Sequence, residues 1–181
     1  MRVLARFLGE ALTWIVITLM VVLTAVVVFA VIYRKAGASL SWYDEVASVL
    51  LAWITYYGAA LAALKRSHIG FEDVLLALPI KARKVAVLIA EALVIFFFAL
   101  LAWAGLTILD ILQGETLVSL TWVPVSVTQS VIPIGAILFI IAEILSFPAY
   151  WKDIMSGHFS EHPPLAHGET PADHASGEGA R

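Results

Sequence analysis

Long stretches without a charged residue constrain this chain more than any other feature of its sequence. Residues 11–33 and 46–64 contain no Asp, Glu, Lys or Arg, while residues 85–109 contain only Glu91 and residues 130–151 only Glu143. About 20 apolar residues in an α-helix cross the ~30 Å hydrocarbon core of a bilayer. The sequence therefore predicts an all-α integral membrane protein with four transmembrane helices at about these positions.

The composition agrees with a chain whose solvent is lipid. Of its 181 residues, 61% are hydrophobic and 14% are charged, against roughly 45–50% and about 25% in soluble domains. The absence of cysteine excludes disulfides, thiolate metal sites and iron–sulfur clusters. We expect one four-helix membrane domain over residues 1–155. The Gly-, Pro-, Ser-, His- and acid-rich residues 156–181 cannot bury enough apolar surface to order themselves and are predicted to form a disordered cytoplasmic tail.

The first apolar run could also be read as a secretory signal, because Ala36, Gly37 and Ala38 offer a small-residue cleavage site. A signal has an apolar region of about 7–15 residues. The run here is longer, and Arg34 and Lys35 separate it from the small residues. These features favour an uncleaved first helix.

The distribution of basic residues predicts which ends of the helices are cytoplasmic. Short cytoplasmic loops carry an excess of Lys and Arg. The connection after the first span has Arg34 and Lys35, and the connection after the third span has no base. The other side has Arg2, Arg6, Lys65, Arg66, Lys81, Arg83, Lys84 and Lys152. We therefore predict a multi-pass membrane protein whose two termini are both cytoplasmic.

Two segments between the spans have patterns of their own. Residues 69–84 carry apolar residues on one side and bases at the end, which is typical of a short amphipathic helix on the cytoplasmic membrane surface. The fourth helix is expected to start near Ser130, which places Pro133 in its first turn, where a missing N–H costs nothing. Residues 114–129 would then form an irregular or half-helical outer connection, and Pro148 is expected to bend or end the fourth helix.

The spans offer little from which to build a cofactor site. Haem needs inward-facing axial ligands, usually His or Met, and none of the five histidines lies within a span. Glu91 and Glu143 are intramembrane acids, and such residues are functional candidates by default. With few polar neighbours they make a poor ion site, so pairing with a base or reaching toward the inner surface is the favoured interpretation. We expect no cofactor and no metal.

No motif for catalysis is present, since the chain has no phosphate loop, nucleophile–base pair or metal-ligand cluster. The residues therefore predict a protein that is not an enzyme. They leave open a subunit of a transporter, a membrane anchor for a redox or other enzyme complex, and a small channel of identical subunits.

Near the second span, Ser41 and Asp44 resemble a capping box, and Asp44 and Glu45 oppose the positive end of the helix dipole.

Residues 34–79 carry a set of motifs in a recognisable order. An Arg follows the first span, then a Trp and an acidic pair, a Trp and Gly-Ala-Ala in the second span, a base, a His-Ile pair with an acid, and Leu-Pro. These are Arg34, Trp42, Asp44, Glu45, Trp53, Gly58, Ala59, Ala60, Arg66, His68, Ile69, Glu72, Leu78 and Pro79. Ile132-Pro133-Ile134-Gly135, preceded by Pro124, opens the fourth span.

This pattern resembles the small membrane subunit, or DctQ component, of the tripartite ATP-independent periplasmic (TRAP) transporters. Phe71 and Glu72 replace the family's usual Val and Asp. The resemblance implies a non-catalytic subunit that supports a large DctM-type membrane subunit. It also implies sodium-coupled uptake of an organic acid delivered by a transient periplasmic substrate-binding protein. Lipid is the other expected partner, and nucleic acid is not expected.

Small residues in the second span are the expected contact with the large subunit. Gly58, Ala59 and Ala62 let a neighbouring helix backbone approach closely. Trp53 and Tyr57 add bulk nearby. We therefore predict that the second helix is a principal contact.

Overall fold

The structure is a computed structural model that describes residues 2–38, 40–65 and 79–156. Within these ranges the chain forms five helices, which we number in chain order. They are α1 (Arg2–Lys35), α2 (Tyr43–Lys65), α3 (Ile80–Ile111), the short α4 (Val125–Gln129) and α5 (Val131–Ser156). Among the described residues, four helical segments are long and apolar enough to cross a membrane. Three of them are α1, α2 and α3, and the fourth consists of α4 and α5 together. The predicted number of spans is therefore confirmed.

The helices extend beyond the apolar runs of the sequence. Helix α1 has 34 residues, which is about 51 Å at 1.5 Å per residue and exceeds the ~30 Å hydrocarbon core. Helix α3 begins at Ile80, so Lys81, Arg83 and Lys84 lie in its first turns. These lengths place charged turns beyond the apolar part of each span.

Two of the sequence predictions concern segments that lie largely outside the described residues. Of the expected amphipathic helix over residues 69–84, residues 69–78 lie outside the described residues, and residues 80–84 belong to α3. Of the expected tail over residues 156–181, residues 157–181 lie outside them. Pro148 lies inside α5, which continues to Ser156, so this proline does not end the helix.

The order of the spans across the bundle differs from their order along the chain. Helix α2 packs against both α1 and α5, and α5 packs against both α2 and α3. The order across the bundle is therefore α1–α2–α5–α3, with a sparser contact between α1 and α5. The last span in sequence lies between the second and the third.

Small side chains form much of the buried core where α1, α2 and α5 meet. The buried cluster consists of Leu12, Ala60, Ala63, Phe139 and Ala142. Phe139 stacks on Phe98 of α3 with ring centroids 3.7 Å apart and an interplanar angle of 8°. Alanines let helix backbones approach closely, which favours van der Waals packing in lipid. One cluster therefore joins all four long helices.

Two glycines mark the closest approaches of α5 to its neighbours. A Cβ atom on Gly135 would lie 2.7 Å from the Cβ of Tyr56 on α2. A Cβ atom on Gly105 of α3 would lie 2.9 Å from the Cδ of Pro133 and 3.1 Å from its backbone nitrogen. Larger residues would push these helices apart.

Both ends of the bundle can be defined by contacts. At the terminal end, which holds the start of α1 and the end of α5, Arg83 donates a hydrogen bond from Nη1 to the carbonyl of Ile154 at 3.2 Å. At the distal end, the α1–α2 connection meets the α3–α4 connection, where Ser119 Oγ donates to the carbonyl of Ser41 at 3.3 Å. The short helix α4 is joined to α2 by a hydrogen bond from Trp53 Nε1 to the Thr128 carbonyl at 3.0 Å.

Candidate partner-binding surface

One side of α2 forms a continuous ridge of exposed and half-buried residues. Its residues recur at spacings of three and four, which places them on one helix face. Ser48, Leu51 and Thr55 are exposed, and Gly58 and Ala62 are half-buried. We call Ser48, Leu51, Thr55, Gly58 and Ala62 the α2 ridge.

The two hydroxyl groups on the α2 ridge are already hydrogen-bonded to their own helix. Ser48 Oγ donates to the carbonyl of Asp44 at 2.8 Å, and Thr55 Oγ1 donates to the carbonyl of Leu51 at 2.8 Å. Neither hydroxyl proton therefore needs a partner from outside the helix. Apart from Leu51, the α2 ridge presents small residues, as helix–helix contacts in membranes do.

Gly58 lies at the open centre of the α2 ridge. A Cβ atom built on it would meet no atom within 4 Å, in contrast to Gly105 and Gly135. Gly58 is therefore not required for packing within this chain. An approaching helix could come close to the backbone here, because glycine has no side chain to hold it away.

The structure does not bring the five predicted contact residues onto one surface. Gly58 and Ala62 share the α2 ridge, but Tyr57 and Ala59 pack against the buried core cluster. Trp53 donates a hydrogen bond from Nε1 to the carbonyl of Thr128. Its ring lies edge-on to that of Tyr57, with the ring centroids 6.4 Å apart. The two aromatic residues therefore make contacts within the chain, and the accessible part of the predicted set is small.

The residues of the motifs occupy positions at helix ends and helix contacts. Arg34 lies in the last turn of α1, Trp42 precedes α2, and Pro79 directly precedes α3. Pro133 and Gly135 lie where α5 touches α3 and α2. Arg66, His68 and Glu72 lie outside the described residues.

Glu45 has a role that the sequence did not indicate. Its carboxylate accepts hydrogen bonds from the backbone N–H groups of Val118 at 3.0 Å and Ser119 at 2.8 Å. Asp44 and Glu45 do lie in the first turn of α2, as the dipole argument expects. However, Glu45 also joins α2 to a loop more than seventy residues away. Residues 116–124 of this loop carry no charge, and no pattern in their sequence indicates the contact with Glu45.

That loop is a small hairpin between α3 and α4. Thr116 and Pro124 form an antiparallel bridge. Backbone hydrogen bonds join Leu117 N to Val123 O at 3.0 Å and Val125 N to Glu115 O at 2.9 Å. We call residues 115–124 the distal hairpin, which ends where α4 begins at Val125.

The two intramembrane acids differ in their surroundings. Glu143 is buried in α5, and Ser146 Oγ donates to its backbone carbonyl at 3.1 Å. Glu91 lies on α3 and is half-buried. Within residues 2–38, 40–65 and 79–156, no group of three His, Cys, Asp or Glu side chains could hold a metal ion.

Comparison with known protein families gives a match. The model of a family described as "Tripartite ATP-independent periplasmic transporters, DctQ component" matches residues 23–151. The matched region begins within α1 and reaches Trp151 in α5, so it includes α2, α3 and α4 completely. A search of curated proteins returned no match.

Proposed function

This chain belongs to the DctQ component family of tripartite ATP-independent periplasmic transporters, and from that premise we propose that it is the small scaffold subunit of such a transporter. In this proposal it supports a large DctM-type membrane subunit in sodium-coupled uptake of an organic acid. A periplasmic substrate-binding protein delivers that acid. The family is one of transporter components rather than enzymes. The family match over residues 23–151 is the observation that carries the proposal.

The proposed location is the bacterial inner membrane, with both termini in the cytoplasm. Four apolar helices make the chain a multi-pass membrane protein. Of the described bases, only Arg34 and Lys35 belong to turns at the distal end. Those at the terminal end are Arg2, Arg6, Lys65, Lys81, Arg83, Lys84 and Lys152. The bias of Lys and Arg toward the cytoplasm supports the proposed orientation.

The proposed contact with the large subunit is the α2 ridge. The exposed surfaces of α1 and α3 are bulky, as Phe29 on α1 and Phe97 and Trp103 on α3 illustrate. Two helices gain little from such surfaces in lipid, because lipid tails pack against bulky apolar side chains equally well. The small residues of the α2 ridge, above all Gly58 and Ala62, let a partner backbone approach closely, and lipid cannot replace that contact.

A pair of substitutions tests this contact. Gly58→Leu and Ala62→Leu should each reduce co-purification of the large subunit from native membranes in mild detergent, because the new side chains hold the partner helix away. Ala25→Leu, at an exposed position of α1, is the matched control and should leave the yield of the complex unchanged. Gly58→Leu is informative because the space around Gly58 is open. The isolated subunit should therefore elute normally in size-exclusion chromatography.

Retention of the large subunit by both Leu variants would remove the α2 ridge from the proposal. Loss with Ala25→Leu as well would show that added bulk anywhere in the spans disrupts the complex. The transport role itself is tested by reconstituting the chain with its large subunit in vesicles and adding the binding protein loaded with an organic acid. Uptake should need a sodium gradient and should disappear when this chain is omitted.

A further inference from the structure

We propose that the tip of the distal hairpin inserts Val118 and Trp122 into the lipid leaflet at the distal end, and that Glu45 holds the hairpin in position for this contact. The inference concerns lipid contact of the chain itself. It needs only membrane insertion and does not depend on which large subunit the chain binds.

The distal hairpin exposes two large apolar side chains outside the helices. Val118 is 90% exposed and Trp122 is 79% exposed. Every other large hydrophobic side chain that is exposed in the described structure lies on a helix. A Trp and a Val on a loop tip are costly to leave in water, so a covering medium is expected.

The depth of the tip follows from the Glu45 contact. Glu45 is the third residue of α2, directly before the uncharged run that starts at Val46. Because its carboxylate binds the N–H groups of Val118 and Ser119, the tip lies level with the first turn of α2. Because the uncharged run begins at the next residue, we place the boundary between hydrocarbon and headgroups at this level. Trp is enriched at that boundary, where its ring lies among apolar groups and its N–H reaches water.

The chain reaches the hairpin from a helix end with exposed apolar side chains. Trp103, Leu106 and Ile111 are exposed on the last turns of α3, and the distal hairpin starts a few residues after this helix. No residue from 116 to 130 is charged, so insertion removes no side-chain charge from water. The exposed apolar side chains at the end of α3 and the lack of charge favour lipid over a protein partner.

Hydrogen bonds within the protein fix the position of the hairpin independently of any contact with lipid. Hydrogen bonds to a carboxylate are stronger than neutral ones, and Glu45 accepts two from adjacent backbone groups. A loop already fixed in its bound shape loses less conformational freedom on binding. Glu45 therefore acts as a positioning residue for the two apolar side chains.

Nitroxide labelling tests the lipid contact, and the absence of native cysteine makes single labelling clean. Val118→Cys and Trp122→Cys are labelled in the full chain in lipid nanodiscs, alone and bound to the large subunit. Collisions with oxygen, which partitions into lipid, are compared with collisions with a water-soluble nickel chelate. The exposed Glu115→Cys on the same hairpin is the control. The oxygen-to-nickel ratio should be several-fold higher at 118 and 122 than at 115, in both preparations.

A ratio at 118 equal to that at 115 would place the tip in water and overturn the inference. Shielding of the label from both reagents in the complex would show that a protein covers the tip, and would also overturn it. Val118→Cys leaves Trp122 in place, so the result stands if Trp122→Cys fails to fold.

The role of Glu45 is tested in the labelled Val118→Cys chain. Glu45→Ala should increase the mobility of the label and lower its oxygen-to-nickel ratio toward that of Glu115→Cys. Asp44→Ala, at the adjacent exposed acid, is the matched control and should leave both values unchanged. An unchanged ratio with Glu45→Ala would remove Glu45 from the inference.

Discussion

Helices α1 and α5 look alike in the sequence, because each is a long run of mostly aliphatic residues, yet they occupy opposite environments in the bundle. In the most apolar 18-residue stretch of α1, 6% of the residues are buried, against 44% in the corresponding stretch of the span formed by α4 and α5. By hydropathy, α1 is the most apolar of the four spans. The most apolar helix is therefore the one most exposed to lipid.

The difference lies in the size and polarity of the side chains. Along α5 the buried positions include Pro133, Gly135, Ala136 and Ala142, together with Glu143. Among the described residues of α1 only Leu12 and Ala30 are buried. Because lipid tails are as apolar as Leu, apolarity gives a helix no preference for the protein interior. Small residues give a helix that preference, because they permit close packing against neighbouring helices.

The largest expected effect comes from removing an aromatic ring from α5. Phe139→Ala should lower the free energy of unfolding by about 2–3 kcal/mol. This is below the range for soluble cores, because lipid removes the transfer part of the cost and leaves the cavity. Phe29→Ala, at an exposed position of α1, should change it by less than about 0.5 kcal/mol. Unfolding in mixed micelles of a denaturing detergent measures both. Equal losses would break the contrast between the two helices.

A second comparison uses the same substitution in both helices. Gly135→Ala places a Cβ 2.7 Å from Tyr56 and should destabilise the bundle by about 1–3 kcal/mol through overpacking. In Gly9→Ala on α1 the nearest atom would be Leu64 Cδ2 at 3.4 Å, an ordinary contact. This change should be neutral or stabilising by up to about 1 kcal/mol, because Ala favours helix over Gly. The same unfolding assay applies, and a stable Gly135→Ala would contradict the close α2–α5 contact.

The smallest expected effect concerns the end of α5. Arg83→Ala removes a charged donor from the Ile154 carbonyl and should cost about 1 kcal/mol locally, since the last carbonyls of a helix need partners. Amide hydrogen exchange should rise in the last turns of α5 and stay unchanged in α1. Lys84→Ala, at an exposed neighbouring base, is the control. Exchange that rises equally in both helices would show that Arg83 supports the whole bundle rather than one helix end.

The sequence predicts the number of spans because bilayer thickness sets a length that apolar runs either reach or do not. It cannot predict which span is central, because packing between helices depends on contacts such as Gly135 with Tyr56. At the candidate surface, the small size of Gly58 and Ala62 predicts a helix contact, and this stays a prediction. The inward contacts of Trp53 and the loop contact of Glu45 join residues more than seventy positions apart. No local pattern encodes such contacts.

The position of α5 between α2 and α3 has a consequence for biogenesis. During synthesis the chain emerges from its N-terminus, so α1 and α2 can pair before the remaining spans are made. Helix α3 must then remain without its main partner for a time, because that partner, α5, follows it along the chain. A nascent chain halted before residue 131 should therefore hold an α1–α2 pair beside an unattached third helix.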